Sequence, residues 1–96
     1  MAIERFCFVR LAAENLPLRR QLAGEIRAVL RAAGARATVG EPADNSAARW
    51  DVSIVVRCDD IAAWTKLAEL PTVAALFASR LPSLAVVIKA WSFEVP

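Results

Sequence analysis

The chain reads as an α+β fold whose elements run β-α-β-β-α-β, making one antiparallel sheet with both helices on one face. Three observations lead there. Short segments rich in Val, Ile and Phe alternate with two stretches of helical period. Gly, Pro, Asn and Asp gather mainly between these segments. A length of 96 residues gives room for one domain, spanning 1–96.

Each element follows from its own residues. Ile3–Leu11 (IERFCFVRL) is a first strand. Ala12–Leu16 leads out of it, with Asn15 placed to N-cap a helix and Pro17 in its first turn. Leu18, Leu22, Ile26, Val29, Leu30 and Ala33 then recur at three- and four-residue steps, while Arg19, Arg20, Arg27 and Arg31 fall mainly off that stripe. Gly34 is placed to end this helix. Ala35–Val39 is a short second strand, and Gly40–Ala48 is a polar loop.

Arg49–Cys58 alternates: Trp50, Val52, Ile54, Val56 and Cys58 share one face, and Asp51, Ser53 and Arg57 the other, with Val55 the exception. Asp59 or Asp60 caps a second helix, Ile61–Leu70. Pro71 disfavours helical geometry at Leu70 and opens a new segment, Thr72–Leu81, which Pro82 stops. Leu84–Val95 is the last and longest strand.

Composition narrows the function classes. Net charge is +2, from 12 basic and 10 acidic residues, too balanced to argue for nucleic acid or an anionic membrane as partner. Cys7 and Cys58 lack metal-binding spacing, and the chain contains no His, so no metal or other cofactor is expected. Two buried, reduced thiols fit a cytoplasmic protein. The N-terminal residues enter a strand pattern directly, without the features of a signal peptide. The uncharged run Leu70–Ser79 is far short of the ~20 apolar residues that span a bilayer.

The hydrophobic fraction, 57%, exceeds the roughly 45–50% of ordinary globular chains. A sheet with one wet face should alternate cleanly between apolar and polar residues. Here Phe6 and Phe8 lie on one face of the first strand and Cys7, Val9 and Leu11 on the other. In the last strand Leu84, Val86 and Ile88 oppose Val87, Trp91 and Phe93. Both sides are apolar, so a second copy is expected against the non-helical side, making a homodimer. The interface candidates are Phe6, Phe8, Val86 and Ile88.

Several passages resemble the stress-responsive dimeric α/β-barrel family, the Dabb domain. They are FCFVRL (Phe6–Leu11), WDVSIVVRCDDIAAW (Trp50–Trp64), LPTVAALFASRLP (Leu70–Pro82) and VIKAWSFEV (Val87–Val95). The resemblance implies a ferredoxin-like βαββαβ protomer that dimerises into an α/β barrel, and a stress-linked role. Most members have no known activity. One, olivetolic acid cyclase, closes a polyketide chain in a pocket between helices and sheet. The resemblance puts its catalytic His at Val73, its Tyr at Leu67 and a further pocket His at Arg5. Many members carry a His where this chain has Leu70. With neither His nor Tyr present, that acid–base machinery is missing.

Candidate ligand-pocket residues are Arg5, Trp64, Leu67, Leu70, Val73, Phe77 and Trp91. Arg5 could anchor an anion or carbonyl at a pocket mouth, or simply snorkel toward a carboxylate. The Trp- and Leu-rich stripe could line that pocket or be plain core. Asp51 and Lys89 could pair catalytically, or form a structural ion pair or lie at the dimer rim. RNA binding would need a basic, aromatic third strand, which RWDVSIVVRC does not offer. Three readings remain: a non-catalytic homodimer that binds a small apolar or weakly anionic molecule, a cofactor-free enzyme of cyclase, isomerase or lyase type in the same pocket, and an interaction module without ligand.

Overall fold

A computed structural model describes residues 1–96. Four strands, β1 (Ala2–Leu11), β2 (Arg36–Gly40), β3 (Val52–Cys58) and β4 (Ala85–Val95), form one sheet in the order β2-β3-β1-β4. Every neighbouring pair is antiparallel. The βαββαβ order and the antiparallel sheet agree with the sequence. The barrel does not: the sheet is open, with β2 and β4 as its two terminal strands, so it is not closed upon itself.

Helix α1 (Arg19–Ala32) buries Leu22, Ala23, Ile26 and Leu30. It starts later than the sequence suggested, because a 3-10 turn over Ala13–Leu18 takes up Pro17 first. Asn15 does not cap α1; its side-chain amide donates to the Leu84 carbonyl at 3.1 Å and ties this turn to the residue that precedes β4. Gly34 ends α1 with φ 75°, a left-handed conformation that a side chain would strain.

Helix α2 (Ile61–Glu69) is capped by Asp60, whose carboxylate accepts from the Ala63 N–H at 2.8 Å. Pro71 then opens α3 (Pro71–Ala75), and the path from α2 into the segment ending at Leu84 bends by 80°. Pro82 does not stop the helical path. A π-helical turn, Leu76–Arg80, intervenes, and Pro82 sits in the first turn of α4 (Leu81–Leu84), where its missing N–H costs nothing. No single helix is long and apolar enough to cross a membrane.

The core lies between the helices and one sheet face. It holds Ile3, Cys7, Val9 and Leu11 of β1 and Val52, Ile54, Val56 and Cys58 of β3. Val73, Leu76 and Leu81 close it from above. The β1–β4 register pairs Arg5 with Ser92, Cys7 with Ala90 and Val9 with Ile88, which turns Ser92, Ala90 and Ile88 toward the helices. Phe6 pairs with Trp91 and Glu4 with Phe93, so these side chains share the open face.

Candidate functional site

The pocket with the most apolar walls lies between α2, the π-helical turn and the sheet, and has a volume of about 160 Å³. Its floor is Arg5 and Cys7 of β1, Ile54 and Val56 of β3, and Ile88 and Ala90 of β4; its roof is Trp64 and Phe77. The local sequence explains the roof. The bend at Leu70–Pro71 swings the chain back across the sheet, and the wider π turn carries Phe77 to within 6.1 Å of the Trp64 ring, edge to face. Wider depressions exist, the largest about 400 Å³ between Glu4, Arg36, Thr38 and Arg57, but that one is polar and open to water.

Arg5 supplies the only charge among the lining residues. Its guanidinium carbon sits 5.2 Å from the centre of the Trp64 ring, and Nη1 donates to Ser92 Oγ at 3.2 Å. No carboxylate lies within ion-pairing distance of it. Arg20, Arg36, Arg57 and Arg80 each have one, and Arg19 has two. Beside Arg5, burial pushes the Cys7 thiol above its ordinary pKa, and the nearby guanidinium offsets only part of that rise. The thiol therefore stays protonated at neutral pH and is a poor nucleophile. With no carboxylate, His or Tyr in the lining, nothing there is poised for proton transfer near pH 7. No cluster of three or more His, Cys, Asp or Glu side chains suited to holding a metal ion occurs.

Of the pocket candidates, the structure brings together Arg5, Trp64 and Phe77. Leu67 borders a different depression beside Gly34 and Cys58, and Leu70 is exposed. Val73 is fully buried and filled around, so the position that the resemblance gave to a catalytic His is core here. Trp91 points the other way, packing at a tilt against Phe8 with ring centres 5.8 Å apart on the open face. Ile88, expected at a dimer interface, lines the pocket instead. Both reversals have one cause: the antiparallel register with β1, not the composition of β4, decides which of its two apolar faces turns inward.

Phe6 and Phe8 do lie on the open face, and Val86 is solvent-exposed near a register irregularity at Arg10/Leu11. Asp51 and Lys89 do not pair. Asp51 accepts the Leu11 N–H at 2.8 Å beside that irregularity and lies 3.6 Å from Arg19, while Lys89 is exposed on the open face. Cys7, Ile54, Val56, Ile88 and Ala90 were missed as lining residues. Following β1 from Arg5 through Cys7 to Val9, and then across to the paired residues of β3 and β4, finds all five.

No protein-family model matches the chain, and no curated protein matches it in sequence. Solved structures do resemble it. A Dabb family protein with a ferredoxin-like fold from Mesorhizobium loti superposes with TM-score 0.79 at 15% identity, covering 99% of this chain and 96% of that one. A dimeric ferredoxin-like protein of unknown function from Thermobifida fusca gives 0.82 at 17%, covering 99% and 92%. The hydroxynitrile lyase of Passiflora edulis gives 0.81 at 11%, covering 99% and 94%. At these identities the likeness establishes the ferredoxin-like fold.

Proposed function

We propose that this chain is a Dabb-type protein that works as a homodimer and binds a small apolar or weakly anionic molecule between helices and sheet, without acid–base catalysis. The pocket around Arg5 carries the proposal: it is largely apolar, is roofed by two aromatic rings, and contains no group able to exchange protons near neutral pH. The Dabb assignment rests on the sequence passages quoted above together with the likeness to the Mesorhizobium loti protein. A stress-linked role is what that kinship suggests. A cytoplasmic location agrees with two unpaired, buried cysteines.

The dimer rests on the open face. Phe6 packs edge-on against Phe93, and Phe8 packs between Trp50 and Trp91, all with ring centres 5.7–5.8 Å apart. Trp91 remains 45% exposed and Phe93 55% exposed. A patch of this kind is costly in water, and a two-fold copy of itself is the simplest cover. The Thermobifida fusca protein of the same fold is dimeric, which supports a dimer here.

Native mass spectrometry of the purified protein tests both parts. Twice the protomer mass is expected, together with a retained small molecule or uptake of small aromatic compounds on titration. A monomer at high concentration would remove the dimer. A pocket that takes up no apolar compound, with Trp64→Ala indistinguishable from the parent, would remove the ligand. Turnover of any substrate without loss in Arg5→Met and Cys7→Val variants would place catalysis elsewhere.

A further inference from the structure

We infer that the pocket selects a monocarboxylate with a compact apolar body about the size of one six-membered ring; this rests on the ligand-binding proposal above and adds the chemical class. Size comes first. The cavity is about 160 Å³. An apolar protein cavity of roughly 150 Å³ stays dry and accepts benzene. Trp64 and Phe77, 77° apart in plane, present a ring face and a ring edge, which suits a flat body or a short alkyl chain.

Charge comes second. Arg5 is half-buried at one end of this cavity, stacked on Trp64, and has no carboxylate partner in the chain. A guanidinium carries five N–H donors in a rigid fork. One is given to Ser92 Oγ, which fixes the fork's orientation and leaves donors for both oxygens of a carboxylate. Taking a cation partly out of water without a counter-charge is unfavourable, and a bound anion relieves that cost. A doubly charged phosphate is poorly matched, because the lining offers no second cation. An amino acid is poorly matched too, because no lining carboxylate is present to receive its ammonium group.

Ligand-observed NMR titration of the full chain at pH 7 tests this, with benzoate, its neutral isostere benzamide, phenyl phosphate and phenylalanine as probes. Benzoate should bind at least tenfold more tightly than benzamide, and more tightly than the other two. Arg5→Met should erase the benzoate preference and leave benzamide unchanged. Arg5→Lys, which keeps the charge but loses the fork, should retain only part of it. Should Arg5→Met fail to fold, the benzoate-to-benzamide ratio in the parent and in Arg5→Lys still decides. Equal binding of benzoate and benzamide overturns the carboxylate while leaving an apolar pocket. Preference for phenyl phosphate or phenylalanine overturns the monocarboxylate class. Binding of none of the probes overturns the inference and the pocket together.

Discussion

The two faces of the sheet are built from different residues for different neighbours. Toward the helices stand Val9, Val52, Ile54 and Val56, all at most 1% exposed. These are branched aliphatic side chains whose irregular outlines interlock with Leu22, Ile26 and Leu30 of α1. Away from the helices stand Phe6, Phe8, Trp91 and Phe93, whose rings meet edge-on or tilted, with the Glu4–Arg57 ion pair and Lys89 around them. An aromatic centre with charged neighbours is the composition of an interface rather than of a core. The contrast separates what the protomer needs in order to fold from what the proposed dimer would bury.

The sharpest way to break that contrast is to truncate side chains on each side of the sheet. Ile26 is fully buried, so Ile26→Ala removes apolar contacts and leaves a cavity, costing about 2–5 kcal/mol. Urea unfolding followed by circular dichroism should show the midpoint falling accordingly. A loss below about 1 kcal/mol would mean that α1 is not clamped to the sheet as described. On the other face, Trp91→Ser with Phe93→Ser should leave the protomer folded and weaken the dimer at least tenfold, about 1.4 kcal/mol, in sedimentation velocity. If the double variant unfolds instead, the open face belongs to the core after all.

A smaller effect is expected where the faces meet, at the end of β1. Asp51 satisfies the Leu11 N–H beside the register irregularity and faces Arg19. Asp51→Ala leaves that donor without a partner, at a cost of about 1–2 kcal/mol, while Asp51→Asn keeps an acceptor there and should lose less. Equal losses for the two substitutions would assign the stabilisation to the charge on Asp51 rather than to the hydrogen bond.

The same contrast explains what could be read from the residues alone. β3 was legible because Val52, Ile54, Val56 and Cys58 alternate with Ser53 and Arg57, so the inward face is marked by chemistry. Trp50 broke the pattern: it precedes the strand and packs on Phe8, on the other side. β4 was legible as a strand but not in orientation, since Ile88 and Trp91 are equally apolar and only pairing with β1 tells them apart. The open sheet edges were also hidden, because strand order is a property of tertiary pairing. Of the pocket, the charge at Arg5 and the rings at Trp64 and Phe77 could be anticipated; the π turn that brings the rings together leaves no mark in the sequence.

The finest test of the contrast uses pH, because the helix-facing side holds both thiols away from water. Burial raises the pKa of Cys7, partly offset by Arg5. Burial likewise raises that of Cys58, with Arg36 opposing and Asp59 and Asp60 reinforcing the rise. In the unfolded chain both thiols ionise at about pH 8.5. Above that pH the unfolded state releases protons that the folded state still holds, so stability falls as pH rises toward the folded-state values; below it, the contribution is fully present. Urea unfolding at neutral pH and again well above pH 8.5 should therefore show a loss in the parent that shrinks in Cys7→Val and shrinks further when Cys58→Val is added. Each single variant carries its own packing change, which the neutral measurement subtracts. An unchanged pH dependence in the double variant would mean that water reaches both sulfurs, and that the helix-facing side is not the dry one.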